Sequence, residues 1–291
     1  MARRLFVGLF VFGAAVGAFG QSKPSIQGGP RTLDGHPDLE GMWLNFDNTP
    51  FERASNGAVA PPVYVGGSDH PPLVARRPSM VVEPPNGRVP VMAWAEKVRD
   101  DKVARIGDTW ENGTTWDRCL TRGIPGGIFP ANESNAYRIF QSPGSVTILY
   151  EMIHVSRVIP TDGSPHLPSS VRLWDGDSRG HWEGDTLVVD ITNYNGKGDI
   201  ATNANSGRIR GIPASDQLHV VERFTRVSDK TINYEVTIDD PKVYTAPWKV
   251  AMPLTRDDSY RMFEYECHEG NYYFETNTLN GGREQDAVGI R

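Results

Sequence analysis

The chain has little that would hold it in a membrane or on nucleic acid. After its first twenty residues it contains no apolar run long enough to span a bilayer. Its basic residues do not cluster, and Arg76 and Arg77 form the one basic doublet beyond those residues. The formal net charge is -6, whereas phosphate binding needs a concentrated basic face. The composition therefore argues against a nucleic-acid partner.

Residues 1–20 have the pattern of an export signal. Arg3 and Arg4 form a positive head, residues 5–19 are uncharged and apolar, and small residues follow at the spacing that a signal peptidase needs. An uncleaved anchor is the alternative. No cysteine directly follows the apolar run, which argues against a lipoprotein. We expect a periplasmic or secreted protein with no stable membrane insertion after signal cleavage.

Cysteine is scarce, with Cys119 and Cys267 as its only occurrences. Two lone thiols in an exported protein often pair, because the compartment is oxidising. The sequence therefore predicts a Cys119–Cys267 disulfide, and two buried free thiols are the alternative.

The distribution of proline and of strand patterns divides the remaining chain in two. Residues 21–115 form a Pro/Gly-rich arm with one helix near 91–105, where Trp94 and Val98 would pack one face on a sheet. Residues 116–291 carry repeated strand patterns separated by turns, with no alternation of strand and helix. The predicted fold is mainly β, an antiparallel meander that closes into a barrel or a sandwich.

The strand predictions are specific. An early strand is expected at residues 41–46, and a polar turn within residues 172–185 should lead into another. The strands predicted in the β domain are 138–142, 145–155, 156–160, 186–193, 218–227, 231–239, 248–254 and 261–267.

Two short pairs of residues could carry chemistry. His181 and Glu183 are separated by one residue, as are Glu266 and His268. Residues i and i+2 of a strand face the same side, so each pair would place an imidazole beside a carboxylate. A carboxylate can orient a histidine base in this way. We therefore predict these four residues as catalytic, with Arg157 holding a negative group.

Other readings of the two pairs remain open. Polar residues on an exposed sheet face are normal for antiparallel sheets. His181, His268 and Glu266 could instead bind a divalent metal, but the chain has no His-x-His or His-Glu-x-x-His spacing. No cofactor is predicted.

A further set of residues combines aromatic rings with polar groups, a combination that suits sugars or aromatic small molecules. Core packing is the alternative for the rings. Glu151, within an apolar strand, is expected to be buried and paired with an arginine such as Arg157. The predicted ligand-binding residues are His154, His166, Trp174, Asp177 and Tyr272.

Four segments together resemble a large family of exported bacterial proteins that is common in acidobacteria and some proteobacteria. They are residues 119–125, 148–154, 176–190 and 265–272, and the resemblance extends over residues 78–283. It implies that these segments act as one unit, and it carries over no activity, fold or catalytic residue.

These observations lead to an expected function. The leading hypothesis is an exported enzyme that acts on a carbohydrate or a similar polar small molecule by acid–base hydrolysis or elimination. The alternative is a non-catalytic small-ligand-binding β-barrel of the periplasm, and a structural envelope protein is a third reading. The expected partner is a small molecule or glycan.

Overall fold

A computed structural model describes residues 29–47, 49–54, 77–106, 108–131, 135–200, 208–271 and 288–289. The predicted signal and part of the proline-rich arm lie outside these residues. The protein is mainly β, and its antiparallel strands form a nearly closed nine-stranded barrel. This confirms the predicted fold class and selects the barrel over the sandwich.

Consecutive strands of the barrel are hydrogen-bonded in the order β5-β4-β3-β1-β10-β9-β8-β7-β6, and β2 pairs with β10. The strands of the described residues are β1 (Gly41–Leu44), β2 (Val81–Glu83), β3 (Ala136–Ser142), β4 (Ser145–Tyr150), β5 (Ser156–Pro160), β6 (Asp177–Glu183), β7 (Thr186–Thr192), β8 (His219–Ser228), β9 (Thr231–Asp239) and β10 (Trp248–Arg256).

Alternation of side chains explains why these segments form a barrel. Along β9, Ile232, Tyr234, Val236 and Ile238 are buried, and the residues between them are half-buried. Successive strand residues face opposite sides of a sheet, so one face of each strand fills the barrel. Burying such an apolar side chain contributes about 1.5–3 kcal/mol.

Tight turns fix the register between neighbouring strands. Pro143 and Gly144 connect β3 to β4, and Gly144 has φ 76°. Gly184 connects β6 to β7 with φ 59°. Glycine adopts such positive φ angles without steric strain, and the predicted turn at Pro143 is therefore confirmed.

Part of the proline-rich arm belongs to the barrel. β1 lies between β3 and β10, where Trp43 pairs with Tyr137 on one side and Arg256 on the other. Trp43 is fully buried. The barrel thus begins before residue 116, and β1 and β2 of the arm belong to the same sheet as the strands of the β domain.

The helices differ from the sequence prediction. Helix α1 (Ala93–Ala104) lies where a helix was expected, but Ala95 is its buried residue and Trp94 is 48% exposed. The prediction that Trp94 packs on the sheet is wrong, because the Trp94 indole N–H instead donates to the carbonyl of Lys242. A second helix, α2 (Cys267–Gly270), was not expected. No helix in the described part of the chain has the length and apolarity to cross a membrane.

Two strand predictions are wrong. Residues 261–266 form no strand, and α2 follows them. The strand predicted over 145–155 ends at Tyr150, because Ile153 and His154 adopt positive φ angles of 60° and 37°. The main chain turns there and returns as β5.

The predicted disulfide is confirmed. Cys119 and Cys267 are bonded, with their Cα atoms 5.6 Å apart. The bond connects the segment that precedes residues 121–129 to the start of α2. The two cysteines are 148 residues apart in the sequence, and in the chain-entropy model a crosslink over so long a loop contributes about 5 kcal/mol.

Candidate functional site

The barrel is incompletely closed between β5 and β6, and a cavity of about 320 Å³ lies at this seam. Its walls combine residues of both strands with the 121–127 loop and the segment that precedes β6. The volume lies at the lower end of the range of roughly 300–1,000 Å³ for small-molecule sites. The cavity is therefore the candidate functional site.

The main chain of β5 contributes polar groups to the seam. The Tyr150 N–H donates to the Val155 carbonyl at 2.9 Å, and hydrogen bonds in antiparallel pairs recur at alternate residues. Ser156 and Val158 therefore direct their N–H and C=O groups away from β4 and toward β6. Among the described residues, no backbone hydrogen bonds join β5 to β6.

The seam is narrow at its other end. A Cβ atom on Gly180 would lie 2.8 Å from the Thr161 methyl carbon and 2.9 Å from the Cγ2 of Ile159. Only glycine allows the strands to approach so closely there. The seam thus closes around Gly180 and opens toward Asp177, where the cavity lies.

Arg157, on the inner wall of the cavity, belongs to a buried ion pair. Arg157 of β5 and Glu222 of β8 are 2.6 Å apart, with side chains 7% and 0% exposed. The Arg157 Nε donates to Ser178 Oγ at 3.0 Å, and the Tyr234 hydroxyl donates to Glu222 at 2.8 Å. These contacts satisfy both charges inside the barrel.

Burial controls protonation in this wall. Burial disfavours the charged guanidinium of Arg157, but the adjacent Glu222 carboxylate outweighs it and raises the pKa of Arg157. Burial also raises the pKa of Tyr150 to about 12. At neutral pH the wall therefore presents a charged arginine and a neutral tyrosine hydroxyl, 3.3 Å apart.

Within the described part of the chain, Asp175 is one of two aspartates that line the cavity. Its Oδ1 accepts a hydrogen bond from the Thr121 hydroxyl at 2.8 Å, and among the described residues its Oδ2 has no hydrogen-bond partner. Burial raises the pKa of Asp175, and the Thr121 hydrogen bond and the charge of Arg157 only partly offset that effect. The Oδ2 of Asp175 can thus accept a hydrogen bond from a ligand.

The 121–127 loop is held rigidly against β4. Gly127 lies so close to the Tyr150 ring that a Cβ atom would be 3.2 Å from it. Arg122 donates to the Phe129 carbonyl at 2.8 Å and stacks on the Trp116 ring, 5.0 Å from its centre. The loop wall is therefore preorganised.

A chain of carboxylates and imidazoles covers the outside of β6–β8. His166 bonds Asp177 through Nδ1 and Asp190 through Nε2, both at 2.9 Å, and His219 bonds the other oxygen of Asp190 at 2.7 Å. This chain fastens the loop between β5 and β6 to the outer face of the barrel.

His181 and Glu183 lie together on β6, as the spacing predicts, with His181 Nε2 3.2 Å from Glu183 Oε1. Their side chains are 57% and 49% exposed and neither lines the cavity. The Arg223 and His181 hydrogen bonds lower the pKa of Glu183. Since β6 had been read as a turn, the sequence did not indicate which face of the barrel this pair would occupy.

Glu266 and His268 do not share a strand face, because Glu266 precedes α2 and His268 lies within it. Both are exposed. Among the described residues, no hydrogen bond or ion pair connects them to His181 or Glu183, and no group of three or more His, Cys, Asp or Glu residues is arranged to hold a metal.

The predicted ligand-binding residues are dispersed. Asp177 lines the cavity with its main chain and is buried, but its carboxylate binds His166 and Arg179. Exposed His154 bonds the Tyr265 carbonyl, and Trp174 borders a smaller neighbouring cavity. Tyr272 lies outside the described residues.

The sequence reading missed Asp175, Glu222 and Ser178. Asp175 lies within the polar stretch that had been singled out, next to Trp174, but nothing local distinguishes it from Asp177. Glu151 is buried as expected, but its partners are the Tyr260 hydroxyl and the Phe263 N–H rather than an arginine. Arg157 is thus the one predicted catalytic residue that lines the cavity.

Comparison with known proteins assigns neither a family nor a function to this chain. No family model, curated protein or solved structure matches the chain.

Proposed function

We propose that this protein is an exported β-barrel that binds a small polar molecule, such as one sugar unit, in the cavity between β5 and β6. The observation that carries the proposal is the cavity itself. It combines an open carboxylate at Asp175 and main-chain groups of β5 with apolar side chains such as Ile124 and Met152. Small-molecule sites have this combination of apolar walls and few polar groups.

The environment of the cavity also supports this proposal. Arg157 is neutralised by Glu222, and Arg179 is bound to Asp177 at 2.8 Å. The third arginine of the lining, Arg122, donates to the Phe129 carbonyl and stacks on the Trp116 ring. Asp175, Asp177 and Glu222 balance the charges of these three arginines, and such walls suit hydroxyl-rich ligands better than polyanions. The disulfide fits an oxidising compartment outside the cytoplasm.

A blocking substitution tests the binding proposal. Val158 is 60% exposed and borders the cavity, so Val158→Trp would place a large ring over the opening. We expect binding of a monosaccharide panel that includes glucose, N-acetylglucosamine and glucosamine, measured by NMR titration of the ¹⁵N-labelled protein. Val158→Trp should weaken that binding at least about tenfold.

Val82→Trp is the matched control, because Val82 is an exposed valine on β2 that does not line the cavity. It should bind like the unmodified protein. If no sugar of the panel perturbs cavity resonances, or if both tryptophan variants bind equally well, the proposal is wrong.

Acid–base catalysis is a second candidate function, and Asp175 favours it. A carboxylate whose pKa is raised accepts a proton more readily at neutral pH. In this version Asp175 replaces His181 or His268 as the acid–base group of a hydrolysis or elimination. Turnover that is lost in Asp175→Asn but kept in His268→Ala would support it, and turnover retained in Asp175→Asn would contradict it.

A further inference from the structure

The ligand class can be narrowed from the charges that surround Asp175. The 121–127 loop contributes the Thr121 hydroxyl, β5 contributes Arg157, β4 contributes Tyr150, and the segment after β7 contributes Tyr194. Arg157 is the one cation of the described residues whose charge lowers the pKa of Asp175. That cation is already bound to Glu222 at 2.6 Å.

Among the residues that the structure describes, no cation forms an ion pair with Asp175. Asp175 lines the cavity, and its Oδ2 has no hydrogen-bond donor among the described residues. A carboxylate in a partly desolvated site gains most from a donor that also carries positive charge, because charge-assisted hydrogen bonds are roughly twice as strong as neutral ones. A ligand ammonium group meets both needs at once.

The surrounding walls fit the remainder of such a ligand. Ile124, Met152 and Leu173 provide apolar surface for a carbon skeleton. Ser156 and the main-chain groups of β5 lie across the seam from the segment that carries Asp175. A compact, ring-sized molecule can contact both sides of the cavity.

We infer that the cavity selects a small molecule with an ammonium group, such as an amino sugar or another cyclic amine, and that Asp175 is its counter-ion. This inference rests on the proposed binding function and specifies the chemical class of the ligand. A general sugar site would bind a neutral polyol as tightly as an amine of the same size, whereas this site should prefer the amine.

Two probes of the same size separate these possibilities. 4-Aminocyclohexanol carries an ammonium group where cyclohexane-1,4-diol carries a hydroxyl. We expect the amine to bind about 10- to 100-fold more tightly in NMR titrations, the range that one charge-assisted hydrogen bond supplies. Equal affinities for the two probes would overturn the inference.

Asp175→Asn keeps the shape of the side chain and removes its charge. We expect this variant to lose the preference for the amine, so that its dissociation constants for the amine and the diol agree within about threefold. Asp162→Asn makes the same change of net charge in an exposed turn outside the cavity wall, and it should keep the preference. Retention of the preference in Asp175→Asn would also overturn the inference.

The pH dependence gives a readout that needs no variant. Affinity for the amine should weaken as pH falls from about 8 to about 4, because protonation of Asp175 removes the counter-ion. Affinity for the diol should change little. Burial raises the pKa values of Tyr150 and Tyr194, so both stay neutral in this range, and Arg122, Arg157 and Arg179 stay charged. A pH-independent affinity for the amine would contradict the assignment.

The outcomes separate the inference from the proposed function. If both probes bind equally and Val158→Trp blocks them, the binding function stands and the ammonium inference fails. If neither probe binds and the monosaccharide panel also fails, both proposals are wrong.

Discussion

Two carboxylates of this protein bind arginine at almost the same distance in opposite environments. Glu222 and Arg157 are 2.6 Å apart inside the barrel, and Glu183 and Arg223 are 2.8 Å apart on its outer face. Side-chain exposures are 0% and 7% for the inner pair, but 49% and 36% for the outer pair.

The difference shows that the grouping of acidic and basic residues does not by itself locate a site. The outer face carries His166, His181 and His219, each bonded to a carboxylate, whereas no histidine of the described residues lines the cavity. What marks the cavity is a set of buried polar groups whose charges water does not screen. Burial, which depends on the whole barrel, separates the two regions.

The largest expected effect comes from breaking the inner pair. Glu222→Ala leaves the Arg157 charge buried without its carboxylate, and we expect the free energy of unfolding to fall by about 3–5 kcal/mol. Urea denaturation measures the loss. Glu183→Ala on the outer face is the control and should cost less than about 1 kcal/mol. Similar losses of unfolding free energy in the two variants would contradict the proposed difference between the inner and outer ion pairs.

The next effect concerns the carboxylate–imidazole chain. His166→Ala removes two hydrogen bonds to carboxylates, one of them to the buried Asp177. We expect the free energy of unfolding, measured by thermal or urea denaturation, to fall by about 1–3 kcal/mol. This range allows for the partial exposure of the His166 side chain, which weakens its contacts. His219→Ala removes one bond from a side chain that is 44% exposed. A cost for His219→Ala as large as that for His166→Ala would contradict this order.

Asp199 is a largely buried carboxylate that forms no ion pair within the described part of the chain. Burial raises its pKa from 3.8 to about 6, so the folded protein binds this proton more tightly than the unfolded chain does. The charged form is therefore unfavourable, and stability declines as pH rises from 3.8 to about 6.

Asp199→Asn removes this penalty and can still accept the hydrogen bond from the Thr115 N–H. We expect it to raise the free energy of unfolding by about 1–2 kcal/mol near neutral pH, with no gain below about pH 4. Urea denaturation across this pH range is the measurement, and a gain that is independent of pH would refute the assignment.

The smallest effect is expected for His181→Ala. The side chain is 57% exposed and its contact with Glu183 lies in water, so we expect a stability change within about 0.5 kcal/mol. Binding of the probe amine, measured in the same NMR titration, should stay unchanged. A loss of binding would show that the His181–Glu183 pair contributes to the binding site.

The sequence indicates the fold better than it indicates the site. Strands such as β8 and β9 were predictable because alternation is a local property. The disulfide was predictable because the chain has two cysteines and an N-terminal pattern that predicts export. Strand β6 was missed because Gly176, Gly180 and Gly184 suggest turns. Gly180 is in fact extended, and it is glycine because β5 approaches there.

The cavity could not be read from the sequence, because it depends on which strands meet when the barrel closes. Arg157 and Glu222 are far apart in the chain, and their contact depends on the tertiary fold. Asp175 differs from Asp177 only in its surroundings, since Asp177 faces the outer imidazole chain and Asp175 faces the cavity. Local patterns carry no information on that choice.

The close approach at Gly180 has a mechanical consequence. The spacing of the two edge strands is set there by a single hydrogen atom, because even a methyl group would meet Thr161 and Ile159. Gly180→Ala would act as a wedge at the shut end of the gap and would change the width of the opening without altering any wall residue. A substitution at Gly180 can thus change the width of the opening between β5 and β6 while the residues that line the cavity stay the same.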